Sequence, residues 1–326
     1  MTRMEDLRQQ FLDYLEQKIS HQQPSGLYDP VHYILQLGGK RLRPLLTLMS
    51  TQMYGETVEK SLDAAVAIEV FHNFTLLHDD IMDAAALRRG QQTVHEKWNA
   101  NTGILSGDAM MIMAYQCFLS YEPEMFYNLN QLFSKTALEV CEGQQYDVDF
   151  ETRMDVTVDE YLLMIKLKTS VLVGCALQMG AIIAGKPKSE QEKIYAYGIQ
   201  LGMAFQLMDD YLDAFGDPET FGKEVGGDIR ENKKTYLYLK SIDNNDFVEE
   251  LKELFSQDYR DLSGEQTLKK ERVKELFVNS GGANRTLEAI NEYTNKAMKT
   301  IDSLDMEETH KAVLKKFSED LMSRIS

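Results

Sequence analysis

Leu76-Leu77-His78-Asp79-Asp80-Ile81-Met82-Asp83 carries aspartates at i, i+1 and i+4, and Leu207-Met208-Asp209-Asp210-Tyr211-Leu212-Asp213 repeats the spacing. Both stretches lie in apolar, helix-favouring sequence. On an α-helix, residues i and i+4 stand one above the other on the same face. Asp79 and Asp83 should therefore project together with Asp80 beside them, and Asp209, Asp213 and Asp210 should do the same. Carboxylates held this close repel one another unless a proton or a cation joins them. All-oxygen ligands suit a hard cation, and Mg²⁺ commonly shares one or two carboxylates with substrate phosphates. An acidic pair on a helix is ordinarily a solvated face. Here each motif instead follows an apolar run, Phe71 to Leu77 and Met203 to Met208, where charge is costly unless it is paired or metal-bound. The pattern points to two acidic clusters, facing each other, that hold a polyphosphate between metal ions.

The bulk properties narrow the partners. The chain has 326 residues, 43% hydrophobic and 27% charged, with a formal net charge of −17. That excess of acid argues against nucleic acid or an anionic membrane as partner. It also means that the cations an anionic substrate needs must be gathered locally. Cys117, Cys141 and Cys175 show no metal-ligand spacing and are expected to be small buried hydrophobes in a reducing cytosol. Met1-Thr2-Arg3-Met4-Glu5-Asp6 lacks the apolar segment of a signal peptide, and no apolar run is read as long enough to span a membrane. The expectation is a soluble cytoplasmic protein without stable membrane insertion.

Helical periodicity dominates, strand-like alternation is almost absent, and only six prolines interrupt the chain. Helices are expected over 4–20, 28–37, 45–54, 61–83, 94–98, 105–120, 124–149 and 157–184. Others follow over 190–215, 232–241, 246–256, 265–279, 283–303 and 307–323. Pro44 suits a first helical turn, Ser189 a cap for the helix at 190, and Arg88-Arg89-Gly90-Gln91-Gln92-Thr93 a loop. Gly216 to Gly227 is expected to be a flexible glycine-rich loop. No linker divides the chain, so residues 1–326 read as one all-α domain, a large helical bundle around a central cavity.

Basic residues fall in four groups that flank the acidic motifs: Lys40, Arg41 and Arg43 after a glycine pair; Arg88 and Arg89 shortly after Asp83; Lys166 and Lys168 before Thr169; and Lys223, Lys233 and Lys234 past the second motif. Singly, each group would pass for a solvated surface patch. Lys168 is different, because its apolar setting (Leu162, Leu163, Ile165, Leu167, Val171, Leu172) demands an anionic partner. Arginine offers phosphate a bidentate fork. Adjacent Arg88 and Arg89 should point in different directions, which suits two separate phosphate groups. His72 lies two turns before Asp79 on nearly the same face and could donate to a phosphate. His78 faces elsewhere and suits a core histidine bonded to a backbone carbonyl.

Gly38-Gly39-Lys40-Arg41-Leu42-Arg43-Pro44, His78-Asp79-Asp80-Ile81-Met82-Asp83, Leu87-Arg88-Arg89-Gly90, Lys168-Thr169, Gly202 through Asp213, and Gly222-Lys223 through Lys233 occur in that order. The ordered set resembles the trans-isoprenyl diphosphate synthases, or polyprenyl synthetases, over nearly the whole chain. The resemblance implies an all-helical prenyl-chain-elongating transferase, short-chain and homodimeric, that works with Mg²⁺, three ions when substrate is bound. Carried over by position, it implies metal ligation by Asp79, Asp83 and Asp209, with Asp80, Asp210 and Asp213 ligating or supporting. Arg88, Lys168, Thr169, Gln206, Lys223 and Lys233 would hold an allylic diphosphate, and Lys40, Arg43, His72 and Arg89 would hold isopentenyl diphosphate.

Product length should be steric. The growing chain is expected to run from Asp79 back along its helix past Thr75, Phe74, Phe71 and Val70. One aromatic at Phe74 beside the small Thr75, with an uninterrupted D-D-x-x-D, resembles the geranylgeranyl-forming pattern more than the farnesyl one. Ordinary core packing would equally account for both phenylalanines. Ala84-Ala85-Ala86 and Gln91-Gln92 depart from the family pattern and are expected to alter loop stability rather than activity. A class I terpene cyclase would leave Lys40, Arg43 and Arg89 without a purpose. A non-catalytic partner subunit of a heteromeric synthase would be expected to have damaged acidic motifs.

Overall fold

The computed structural model describes residues 3–19, 22–217, 225–243, 246–256 and 263–322. Among them, the architecture is helical apart from one pair of two-residue strands. Helices α1 (Met4–Lys18), α2 (Ser25–Gln36), α3 (Leu42–Met53) and α4 (Leu62–Met82) are followed by β1 (Leu87–Arg88) and β2 (Gln91–Gln92). Then come α5 (Val94–Lys97), α6 (Ala100–Gln116), α7 (Pro123–Thr152), α8 (Val158–Ile165), α9 (Val171–Ile183) and α10 (Lys188–Phe215). The C-terminal part adds α11 (Gly227–Arg230), α12 (Tyr236–Ile242), α13 (Val248–Ser256), α14 (Ser263–Asn279), α15 (Gly282–Asp302) and α16 (Glu308–Met322).

By contacts the chain forms two compact units, Met1–Lys135 with Cys175–Glu192, and Thr136–Gly174 with Lys193–Ser326. The first is organised by α4, buried on nearly every side from Ala64 to Phe71 and again at Asn73, Phe74, Leu77 and Asp80. A helix apolar all round belongs in a core rather than on a surface. Helices α1, α3 and α6 pack on it. The last turns of α4, which carry the first acidic motif, approach α6 where a side chain would obstruct them: a Cβ on Gly107 would lie 2.2 Å from His78 Nε2. The second unit has its own core, with Leu207 and Met208 of α10, Tyr161 and Ile165 of α8, Leu237 and Tyr238 of α12, and Phe255 and Phe277.

Several local expectations need correction. Arg88 to Thr93 is not a plain loop: Leu87 pairs with Gln92 and Arg88 with Gln91 in an antiparallel hairpin. Its two central residues, Arg89 (φ 53°) and Gly90 (φ 75°), both have positive φ, as a two-residue type I′ turn requires. Helix α10 begins at Lys188, after Pro187, so Ser189 lies inside the helix and does not cap it. Helix α6 begins at Ala100, earlier than expected, because Asn99 accepts the Thr102 N–H. The helix expected over 232–241 begins only at Tyr236, as α12, and the short α11 precedes it, with Lys233 between the two. The 157–184 helix has the anticipated bounds within a residue, but Lys166–Ser170 forms a π turn inside it. Val158–Ile183 is also long and apolar enough to cross a membrane by length and composition, which the sequence reading missed across Lys166 and Lys168. Of its most apolar window, 56% is buried within the protein.

Candidate active site

In the first unit the acidic motif ends α4, with Asp83 as its C-cap residue. Asp80 is buried and Asp79 half-buried, while Asp83 is exposed. Asp80 is engaged by Arg88, whose Nε donates to Oδ1 at 2.9 Å and Oδ2 at 2.8 Å, with Nη2 2.7 Å from Oδ1. The hairpin sends the neighbouring Arg89 elsewhere, to donate to the Gly38 carbonyl. The two arginines thus diverge, as their adjacency suggested. Gly39 adopts φ +116°, a conformation that favours glycine, and it packs directly beneath the Arg89 guanidinium, 2.8 Å from where a Cβ would lie.

Arg43, at the start of α3, donates Nη1 to His72 Nε2 at 3.1 Å. That bond makes Nε2 an acceptor, so His72 orients Arg43. Burial, reinforced by Arg43, Arg89, Arg88 and Arg41, pushes the His72 imidazole well below its ordinary range and keeps it neutral. Burial also lowers Arg43, with Glu69 acting in the other direction. Lys40 is exposed on the same loop. Arg41 is not part of the open group: it is buried and paired with Glu69. His78 lies 3.3 Å from the Ile104 carbonyl, the backbone partner anticipated for it, but it is half-buried and not a core residue. Phe71 is fully buried against Phe74 and Phe133, at ring-centroid distances of 5.5 and 5.2 Å. Phe74 also stacks edge-on with His78 at 4.8 Å, and Thr75 donates to the His72 carbonyl at 2.8 Å.

In the second unit the π turn presents Lys168 and Thr169. Such turns recur at functional sites because they re-aim side chains within a helix. Lys168 finds the anion its setting demanded in Asp147, at 2.6 Å. Thr169 donates to Gln206 Oε1 at 3.0 Å, and Gln206 in turn donates to Asp210 Oδ1 at 2.9 Å. Tyr161 donates to the other oxygen of Asp210. Asp213 accepts the Asp228 backbone N–H at 3.0 Å. Lys233 lies 3.2 Å from Glu231 and 3.7 Å from Asp228. Lys234 serves the fold, donating to the Phe150 and Glu151 carbonyls at the end of α7. Lys223 lies outside the described residues.

The electrostatics of the second cluster favour a cation. Burial, then Asp228, raises Asp210 well above the usual carboxylate range, against the opposing pull of Lys233. Burial together with Asp213 and Asp209 pushes Asp228 up to about 7. Crowded oxygens of this kind are the donor set for Mg²⁺. Among the described residues no three His, Cys, Asp or Glu side chains are gathered tightly enough to hold an ion alone. Oxygens from a bound diphosphate would complete such a shell.

Glu69, Asp147, Tyr161 and Asp228 escaped the sequence reading. Glu69 could have been found, since an acid inside Ala67-Ile68-Glu69-Val70-Phe71 needs a cation as surely as Lys168 needs an anion. Asp147 and Tyr161 carry no comparable signal, because each meets its partner only through tertiary packing.

The family model for polyprenyl synthetase matches residues 24–275. A crystal structure of a geranylgeranyl pyrophosphate synthase is 66% identical, with a TM-score of 0.97 over 99% of each chain. The geranylgeranyl pyrophosphate synthase of Geoglobus acetivorans is 36% identical over 293 residues, 89% of each chain. A geranylfarnesyl diphosphate synthase of Natronomonas pharaonis is 38% identical over 255 residues, 73% of this chain and 75% of its own length. With its ordered motifs and its helical architecture, this chain belongs to the polyprenyl synthetase family.

Proposed function

We propose that the chain condenses isopentenyl diphosphate head-to-tail with an allylic diphosphate, and that its favoured product is the twenty-carbon geranylgeranyl diphosphate. The observation that carries this reading is the separation of charge at the motif residues. Arg43, Arg89 and Lys40 around a glycine pair offer an anion site, and the aspartates of α4 and α10 offer oxygen donors for a cation. Asp79, Asp83 and Asp209, supported by Asp80, Asp210 and Asp213, would hold three Mg²⁺ ions with the allylic diphosphate. Bound there, Mg²⁺ neutralises charge developing on the leaving diphosphate.

Arg88, Lys168, Thr169, Gln206, Lys223 and Lys233 hold the allylic diphosphate and stabilise the same charge as the C–O bond ionises. For Arg88 and Lys168 this means exchanging Asp80 and Asp147 for phosphate oxygens. Lys40, Arg43 and Arg89, with His72 orienting Arg43, hold isopentenyl diphosphate with its double bond near the allylic carbon. The new C–C bond forms there, and the released diphosphate takes the proton lost from the product. No protein nucleophile is needed. Twenty carbons is supported by the similarity to geranylgeranyl pyrophosphate synthases, and a geranylfarnesyl diphosphate synthase is comparably similar. The same proposal includes one catalytic domain around a central cavity, a homodimer, a cytoplasmic location, and neither nucleic acid nor a membrane as partner.

The test is product analysis of the purified chain with Mg²⁺, labelled isopentenyl diphosphate, and dimethylallyl or farnesyl diphosphate. A labelled twenty-carbon alcohol after dephosphorylation is the expected result, and a fifteen- or twenty-five-carbon alcohol would revise the length alone. A cyclised hydrocarbon without label, or no product from the chain alone, would overturn the reading.

A further inference from the structure

The geometry points to Glu69 as a positioning residue for the isopentenyl diphosphate site, acting through Arg41 to set the loop that carries Lys40 and Arg43. This rests on the assignment of that site under the proposed function. Glu69 and Arg41 form an ion pair with side chains only 2% and 3% exposed. Both charges are removed from solvent, and burying them is worthwhile only if geometry is held tightly.

Arg41 sits at the N-cap of α3 with φ 52°, a left-handed conformation that a non-glycine residue keeps only when its surroundings impose it. The restraint is visible. One guanidinium nitrogen donates to Glu69 Oε1, and a second donates to the Leu35 carbonyl near the end of α2. Glu69 is fixed in turn, because Asn73 Nδ2 donates to its Oε1 at 3.0 Å and to its backbone carbonyl at 2.8 Å. A chain of bonds therefore runs from α4 through Glu69 and Arg41 to the end of α2. The Gly38–Arg43 loop is pinned at its middle.

Lys40 immediately precedes the pinned residue and Arg43 follows two positions later. The Gly38 and Gly39 carbonyls just before hold Arg89 and Arg8. Rotating Arg41 out of its left-handed conformation would re-aim all of them. Glu69 also supplies the negative charge that lets Arg41 sit beside Arg43, Arg88 and Arg89. Losing the carboxylate should disturb the isopentenyl site first and the allylic site much less, because Lys168, Thr169 and Gln206 have no part in this chain of bonds.

The experiment compares Glu69→Gln and Glu69→Asp with the unaltered chain in steady-state kinetics, varying each substrate at saturation of the other, with thermal unfolding alongside. Glu69→Gln is expected to raise KM for isopentenyl diphosphate about tenfold or more while KM for the allylic diphosphate stays within about twofold. Glu69→Asp keeps the charge with a shorter reach and should fall between. An unchanged KM for isopentenyl diphosphate, or a parallel rise for both substrates, would overturn the proposal. Should Glu69→Gln fail to fold, the same split measured on Glu69→Asp decides. Lys40→Ala and Arg43→Ala run in the same series separate the two layers of argument. If they leave KM for isopentenyl diphosphate unchanged, the site assignment fails, and if they raise it while Glu69→Gln does not, only the positioning role fails.

Discussion

Replacing Gly143 with alanine would place a methyl group 2.2 Å from the backbone nitrogen of Lys168 and 2.7 Å from both Leu167 C and Lys168 Cα. Non-bonded atoms need about 3.5 Å, so α7 and the π turn would have to part by about 1.3 Å there. The obstructing atoms are backbone, and no side-chain rotation relieves them. Gly143 lies inside α7, where helix propensity alone predicts that alanine stabilises by about 1 kcal/mol. Overpacking works against this at about 1–3 kcal/mol, so the steric effect should win and the melting temperature should fall by a few °C. Function should suffer more than stability. The displaced segment carries Lys168 and Thr169, and a misplacement of about 1 Å costs about 10²-fold in rate. The assay is kcat/KM for the allylic diphosphate at saturating isopentenyl diphosphate, with thermal unfolding on the same preparations. A variant that melts higher than the unaltered chain and turns over normally would refute the close approach and the positioning argument together.

Asp79→Ala and Asp209→Ala should each lower kcat by several orders of magnitude with unfolding temperatures near that of the unaltered chain, and chelating Mg²⁺ should abolish turnover. Near-normal turnover of either variant would sink the metal assignment. Arg89→Ala should raise KM for isopentenyl diphosphate about tenfold and that for the allylic substrate little, since its neighbour Arg88 and not Arg89 is aimed at the acidic motif. Equal effects on both substrates would contradict the divergence of the two arginines. Phe74→Ala should lengthen the product, and because Phe74 is 8% exposed it should also cost about 3–5 kcal/mol of stability. An unchanged product from the folded variant would leave Phe74 as core packing only.

The fold class and the motif residues were legible because both rest on local signals. Apolar periodicity specifies helices, and the i, i+1, i+4 spacing of Asp79, Asp80 and Asp83 specifies one helical face. What local reasoning missed depends on partners distant in sequence. Nothing between Asp147 and Lys168 marks them as a pair. The π turn that presents Lys168 and Thr169 packs closely against Gly143 of another helix, a contact that no periodicity betrays. The hairpin was hidden for a different reason. Arg89-Gly90 can adopt a type I′ turn, but a non-glycine residue with positive φ is uncommon and arginine is a weak cue for it. Ser189 has the chemistry of a cap but cannot act as one, because the helix already begins at Lys188, directly after Pro187. Phe71 was read both as a chain-length residue and as ordinary core, and its complete burial against Phe133 favours the second.

A chain of net charge −17 that binds two diphosphates poses an electrostatic difficulty, and the local pairing resolves it. At physiological ionic strength charges are largely screened beyond about 8 Å, so what an incoming phosphate meets is set by the groups nearest to it and not by the sum over the surface. Four arginines act on His72, yet they are not alike. Arg41 and Arg88 are neutralised by Glu69 and Asp80, whereas Arg43 and Arg89 bond to an imidazole and a carbonyl, both neutral. Two guanidiniums therefore keep their full charge for an anion. Burial lowers the pKa of both, which means that each gains from an anionic partner. In the second unit the imbalance is reversed: carboxylates outnumber the lysines beside them, and Asp228 rises to about 7. That cluster gains from a cation. The acid count of the whole chain thus conceals one neighbourhood that wants an anion and another that wants a cation, and a metal-bound diphosphate chemistry needs both.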